Sequence, residues 1–225
     1  WIHAASIGEA VIAETLVNYL KKNTNLSHFL ITTNTYYTKD LLQKKFRNDV
    51  HIAALPFDLK CSVKRFINGS TFKILIIVET EIWPNLIWEA NKRGIPVVIV
   101  NGRISDKTHS SYRRFSFFIK HVLSSVNLVI AQSDEHLERY ASIGMNRQKM
   151  ICTGNLKYYR EISGGHETIV KDNAITFGSI KEKELETIIR VILMLKKEFS
   201  GFRIFIAPRE LYLVDVIEKE LSSSF

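Results

Sequence analysis

The sequence is poor in several features that mark protein classes. Cysteine is scarce: Cys61 and Cys152 are the only two in 225 residues, far apart and without ligand-like spacing around either. That excludes a disulfide-built scaffold and reads as reduced thiols in a reducing compartment. No apolar run reaches the roughly 18–20 residues that a membrane-spanning helix needs, and no signal peptide is recognisable. The chain opens on Trp1 rather than Met and stops at Ser222-Ser223-Ser224-Phe225 soon after a helix pattern, which reads as a chain cut at both ends. Neither a Gly-x-Gly-x-x-Gly fingerprint nor a Walker loop is present, so nothing points to a dinucleotide or P-loop enzyme. The histidines at 3, 28, 51, 109, 121, 136 and 166 form no closely spaced pair with acidic support, so no metal site is expected. His3 sits in a strand pattern and reads as a core or edge residue. No internal repeat or low-complexity tract appears.

What is present is apolar bulk and positive charge. Hydrophobic residues make up 46% of the chain, enough for a sizeable core. The net charge of +8 suits an anionic partner: nucleic acid, an acidic membrane surface or a phosphorylated substrate. It is equally compatible with a lysine-rich soluble protein, because Lys21-Lys22, Lys44-Lys45, Arg113-Arg114 and Lys196-Lys197 are separate pairs. The basic residues are not interleaved with aromatics in one patch, which argues against nucleic acid.

Strand and helix patterns alternate from end to end. Strands are expected at 1–5, 28–33, 51–55, 73–79, 95–100, 127–131, 150–153, 175–178 and 203–207. Several, such as Ile74 to Val78, are apolar on both faces, as buried parallel strands are. Helices are expected over 9–22, with Ile12, Leu16 and Leu20 on one face, and over 181–199. A third, over 108–124, carries Tyr112, Phe115, Phe117, Phe118 and Ile119, read as core or, second, as a membrane-facing patch. The alternation implies a doubly wound parallel sheet over 1–157, a linker over 158–173 around Ser163-Gly164-Gly165, and the start of a second Rossmann-like unit over 174–225.

Ligands of such sheets bind beyond the carboxyl ends of the strands. Read that way, one edge collects Ser6, Gly8 and Glu9; Thr32 and Thr33; Pro56 and Asp58; Glu79 and Glu81; Asn101, Gly102 and Arg103; and Gly154, Asn155 and Lys157. Pro208 and Arg209 follow the last strand of the second unit. Ser6-x-x-Glu9 is also a helix capping box, in which Glu9 reaches back to the Ser6 N–H. Glu79 ends an apolar run and is a candidate desolvated carboxylate, with Glu81 two residues on; one of the two can instead cap the helix that starts near Pro84. Lys157 and Arg209 can each hold an anion, whereas Arg103 can do so or simply pair with Asp106.

At these positions the chain resembles a known family. Trp1-Ile-His-Ala-Ala-Ser-Ile-Gly-Glu9, Leu55-Pro-Phe-Asp58, Glu79-Thr-Glu-Ile-Trp-Pro-Asn85, Asn101-Gly-Arg-Ile-Ser105 and Thr153-Gly-Asn-Leu-Lys157 occur in the order and spacing of the Kdo (3-deoxy-D-manno-oct-2-ulosonic acid) transferases. The resemblance implies the two-domain GT-B glycosyltransferase fold, with an acceptor-side first domain and a nucleotide-donor second domain. It implies transfer of Kdo from CMP-Kdo to a lipid A precursor, lipid IVA, in lipopolysaccharide biosynthesis at the cytoplasmic face of the bacterial inner membrane. The family's anchor segment is absent from this chain. By resemblance Glu9 is the general base, Glu79 and Lys157 stabilise the transition state, and Pro208 and Arg209 belong to the nucleotide site. Ser6, Gly8, Glu81, Arg103 and Asn155 are candidate substrate-binding residues, and no metal or other cofactor is implied. The second-domain opening Gly178-Ser-Ile-Lys-Glu-Lys-Glu184 lacks the family's histidine, and the family's Pro-Arg-His reads Pro208-Arg209-Glu210. Two other readings remain: a truncated, non-catalytic remnant that binds acceptor lipid or a partner, and a GT-B enzyme with another nucleotide sugar.

Overall fold

Alternate residues of the central strands go to opposite faces of one parallel sheet, and each face builds its own core. In the computed structural model, which describes residues 1–47, 49–159, 173–199 and 201–222, the chain divides into two compact units, Trp1–Ile162 and Ser163–Phe225. Residues 160–172 of the expected linker lie outside the described residues.

The first unit runs β1 (Ile2–His3), α1 (Ile7–Asn23), β2 (Leu30–Thr33), α2 (Tyr36–Phe46), β3 (His51–Ala54), α3 (Lys60–Ile67), β4 (Leu75–Val78) and α4 (Pro84–Lys92). It continues with β5 (Val97–Gly102), α5 (Asp106–Arg114), α6 (Ser116–Leu123), β6 (Leu128–Ala131), α7 (Asp134–Ser142) and β7 (Met150–Cys152). All strand pairings are parallel, in the order β3-β2-β1-β4-β5-β6-β7. Leu75 and Ile77 of β4 join Val97 and Ile99 of β5 in a core covered by α3, α4 and α6. Ile76 and Val78 join Val100 and Ile31 in a second core under α1 and α2. Each such aliphatic side chain contributes about 1.5–3 kcal/mol by leaving water.

Caps fix where the helices start. Ser6 is the N-cap of α1, in extended conformation. Trp83 is the N-cap residue of α4 and offers no side-chain bond. The capping comes instead from Asp58, 27 residues upstream: its carboxylate accepts from the N–H groups of Asn85 (3.1 Å) and Leu86 (2.8 Å). Neither Glu79 nor Glu81 caps this helix, which leaves both carboxylates for other work.

The expected helix over 108–124 is two helices that break at Phe115. Its three phenylalanines are not core: Phe115, Phe117 and Phe118 are 61%, 90% and 46% exposed, while Tyr112 packs partly buried against the core and Ile119, Val122 and Leu123 are buried. An apolar face at helical spacing begins only at Ile119; α5 buries no residue. The number of aromatics, rather than their period, suggested a core here.

The second unit contains β8 (Ala174–Ile180), a 3-10 turn Glu182–Glu184, α8 (Leu185–Glu198), β9 (Arg203–Pro208) and α9 (Leu213–Ser222), with β8 and β9 paired in parallel.

Candidate active site

The strand order of the first unit reverses between β1 and β4, because the chain builds β1, β2 and β3 to one side and then places β4 on the other flank of β1. A crevice opens beyond the carboxyl ends at such a switch point. The segments that leave β1 and β4 there are Ser6–Glu9 and Glu79–Glu81.

Glu9 lies in the first turn of α1 and is only 7% exposed. Its carboxylate accepts from the Ala5 N–H and from the Ser6 hydroxyl, each at 2.8 Å. The Glu9 N–H in turn donates to Ser6 Oγ at 3.4 Å. This is a variant of the expected capping box, for the glutamate reaches the N–H of Ala5 rather than that of Ser6. Burial raises the Glu9 carboxyl above its ordinary value of 4.5; the two hydrogen bonds oppose that, and the nearby Glu81 and Glu79 charges reinforce it. Each carboxylate oxygen still has a free lone pair, so the bonded group can accept a proton. A carboxylate with a raised pKa, fixed in orientation, is suited to general-base work near neutral pH.

Glu79 leaves β4 with φ +62, a left-handed conformation that a long side chain adopts only at a cost. Its N–H still donates to Val100 O at 2.9 Å, so the ladder continues to the residue that turns away. The side chain is 13% exposed, and Oε1 is 2.7 Å from the Lys157 ammonium. The contact is an ion pair, and among the described residues Oε1 has no hydrogen-bond partner. Gly8 borders the pair: a Cβ built there would make an ordinary contact, 3.5 Å, with Lys157 Nζ. The Glu79 carbonyl accepts a long bond (3.4 Å) from the hydroxyl of Tyr140, which is completely buried. Gly102 admits that ring, since a Cβ there would lie 3.1 Å from Tyr140 Cε2. Tyr140 was not visible as a supporting residue in the sequence, where it is one aromatic in an ordinary amphipathic helix.

The other expected residues are placed unevenly. Glu81 is half-buried, and burial raises its carboxyl; the Trp83 indole opposes this from nearby, in a geometry short of a hydrogen bond. Ser6 is committed to Glu9. Asn155 is committed locally, its side-chain oxygen accepting from the Lys157 N–H at 3.0 Å. Arg103 is exposed, and Asp106 pairs with Arg139 rather than with it. The Arg103 carbonyl accepts from the Thr80 hydroxyl, which ties the two loops together.

His3 lies in the core, fully buried, with Nδ1 3.1 Å from both Thr32 O and Thr32 Oγ1 and with no hydrogen-bond partner for Nε2 among the described residues. Burial lowers its pKa from 6.5 to about 4. The unfolded chain therefore binds this proton in a range where the folded one does not. The stability tied to the neutral ring is fully present above about pH 6.5 and is lost as the pH falls towards 4. Urea unfolding at pH 7 and pH 5 is expected to show about 2 kcal/mol more acid sensitivity in the wild type than in His3→Gln. Equal slopes in the two proteins would contradict that account.

In the second unit, Pro208 is the last residue of β9, and the Arg209 N–H donates to Ile180 O at 2.9 Å. Arg209 lines an open recess of about 680 Å³ with Lys181, Lys183, Glu182, Glu210 and Tyr212. Tyr212 donates to Glu182 at 3.0 Å, and its hydroxyl is pushed up to about 12, chiefly by hydrogen bonds to Glu182 and Glu210. Three cations and two carboxylates thus share one recess.

The sequence profile of a family described as 3-deoxy-D-manno-octulosonic-acid transferase (kdotransferase) matches residues 1–160. A 3-deoxy-D-manno-octulosonic acid transferase of Haemophilus influenzae is 37% identical over 70% of this chain and 37% of its own length. The Aquifex aeolicus protein of the same name is 30% identical over 98% of this chain and 57% of its length. A bifunctional glycosyltransferase/methyltransferase of Fusobacterium nucleatum is 30% identical over 97% of this chain and 35% of its length. The chain thus spans about a third to rather more than half of these relatives. Among solved structures, a UDP-N-acetylglucosamine 2-epimerase superimposes with TM-score 0.66 at 14% identity, over 99% of this chain and 65% of the other. MurG of Acinetobacter baumannii gives 0.58, also at 14%, over 98% and 61%. At that identity the likeness is one of fold, and the fold is of GT-B type.

Proposed function

The chain belongs to the 3-deoxy-D-manno-octulosonic acid (Kdo) transferase family, and on that premise we propose that its reaction is transfer of Kdo from CMP-Kdo to a lipid A precursor, lipid IVA. The observation that carries the reading is the convergence of three ionisable groups from distant segments on one switch point: the buried, pKa-raised Glu9 and the Glu79–Lys157 pair.

In this reading the acceptor sugar hydroxyl attacks the anomeric carbon of Kdo. Its proton passes to the Glu9 carboxylate, the bond from Kdo to CMP breaks, and the phosphate oxygen of CMP leaves with the electron pair. Positive charge grows on the anomeric carbon as the bond breaks, and the desolvated Glu79 carboxylate opposes it. Lys157 holds anionic groups of the donor and balances the Glu79 charge across their 2.7 Å contact. A fixed ammonium supplies the positive charge here, so the reading assigns no metal. The first unit takes the acceptor, and the recess around Arg209, with Pro208 at its strand end, takes the nucleotide phosphate.

The acceptor is an anionic glycolipid, and the same reading places the protein on the cytoplasmic face of the inner membrane. The surface of α5 and α6 supports this. Phe115, Phe117 and Phe118 are exposed beside exposed Lys107, Arg113, Arg114 and Lys120, the pairing of apolar rings and cations suited to an anionic lipid surface. Among the described residues no helix is long and apolar enough to cross a membrane.

One experiment tests the reading. The full-length protein is assayed for Kdo transfer from CMP-Kdo to lipid IVA presented in anionic and in neutral vesicles. Transfer is expected, several-fold faster on anionic vesicles, with the advantage reduced in Phe117→Ser. Turnover of a UDP-sugar with none of CMP-Kdo would overturn the donor assignment, and equal rates on both vesicles the membrane one.

A further inference from the structure

Lys157 reaches Glu79 from a loop that is far away in sequence, and something must hold that loop. Asn101, the penultimate residue of β5, lies beside Glu79 and is likewise left-handed, at φ +58. Its side chain is 1% exposed. Oδ1 accepts the Leu156 N–H at 2.9 Å, across 55 residues. The Asn101 carbonyl accepts from Gln132 Nε2 at 3.1 Å, so the residue is braced from behind. Leu156 packs against the core beneath α1, and the next N–H, that of Lys157, is taken by Asn155. On the far side of the Lys157 Cα the Tyr158 N–H donates to Asn155 O at 3.0 Å, so the backbone is held on both sides and side-chain torsions span the rest of the way to the Glu79 contact.

We infer that Asn101 is the positioning residue for Lys157: its amide oxygen anchors the Leu156 N–H and so sets the ammonium on Glu79. The residue type fits both demands. Asparagine tolerates the left-handed backbone far better than most residues, and its side chain has the length to bridge to the next loop. Glycine would satisfy the backbone but offer no acceptor. Aspartate would satisfy both, and its second oxygen would replace Nδ2, which has no hydrogen-bond partner among the described residues. The importance of this clamp for turnover rests on the proposed transfer reaction, whereas its geometry does not.

The test uses the full-length protein and the variants Asn101→Gly and Asn101→Asp. Without substrate, hydrogen exchange at Leu156 is expected to quicken at least ~10-fold in Asn101→Gly and to stay near wild type in Asn101→Asp. The ε-methylene NMR signal of Lys157 is expected to respond to Glu79→Gln in the wild type and to lose most of that response in the Asn101→Gly background. In the transfer assay, Asn101→Gly is expected to lower kcat about 10–100-fold with KM little changed, as a misplacement of about 1 Å does, and Asn101→Asp to recover most of the loss. Unchanged exchange at Leu156, or an undiminished Lys157 response to Glu79→Gln, would overturn the inference whether or not the protein transfers Kdo. If Asn101→Gly does not fold, Asn101→Ser, too short to reach Leu156, is read by the same two substrate-free measurements. Absence of transfer in the wild type with both substrate-free effects intact would sink the reaction assignment and leave the clamp standing.

Discussion

Glu9→Gln is expected to lower the rate of Kdo transfer by about 10²–10⁴-fold in the full-length enzyme, the range that a positioned general base supplies. The substitution is nearly isosteric. The amide oxygen can still accept from Ala5 or Ser6, so α1 stays capped and the melting temperature is expected to change little. What disappears is the ability to take a proton. The pH profile separates this from a merely structural loss. Catalysis needs the ionised carboxylate, and burial holds its pKa above 4.5. In the wild type kcat/KM therefore falls on the acid side through that raised value. In Glu9→Gln the acid limb attributable to this group should vanish, leaving a low and flatter profile. A variant within five-fold of the wild type, or one that keeps the same acid limb, would remove Glu9 as the base.

Lys157→Met is expected to reduce kcat by about 10²–10³-fold, comparable to the loss of one preorganised donor at a site of developing charge. Methionine keeps most of the stem but leaves Glu79, 13% exposed, without its cation. The Lys157 side chain is 38% exposed, so solvent screens the pair, and the stability loss is expected at only about 1–2 kcal/mol. The double variant with Glu79→Gln distinguishes a working pair from two independent residues. Coupled groups give a combined loss well short of the product of the single losses. Strict multiplication of the two effects, measured as kcat/KM at saturating acceptor, would show that the 2.7 Å contact has no bearing on turnover.

Much of the framework was legible because the strands of the first unit carry their own signal. An apolar run such as Leu75–Val78, buried on both faces, has no comfortable place except the middle of a parallel sheet. The ends of those runs pointed to Glu9, Glu79 and Lys157, because a doubly wound sheet gathers its carboxyl ends on one edge. Which residues there touch substrate and which only hold others was not legible. Asn155 was expected to contact substrate, and its side-chain oxygen accepts the Lys157 N–H; Asp58 was one polar residue among several and is the cap of α4. Asn101 stood in the strand-end group, but its left-handed backbone and its reach to Leu156 depend on how two loops meet, which no local pattern encodes. Phe115, Phe117 and Phe118 misled for the opposite reason, since composition was read where spacing should have decided.

The place of β1 in the sheet also bears on how the protein is made. This strand is only two residues long, yet it sits between β2 and β4, and His3 pairs with Ile77 as well as with Thr32. During synthesis at about 5–20 residues per second, the 74 residues from His3 to Ile77 take roughly 4–15 s to add. For that interval the first strand has at most one neighbour, and the His3 ring has no closed interior to occupy. The Ser6–Glu9 turn begins three residues past that strand, so one wall of the crevice waits on a segment made much later. Lys157 follows after a further 80 residues. The cluster of Glu9, Glu79 and Lys157 is thus among the last features of the first unit to be completed as the chain emerges from the ribosome.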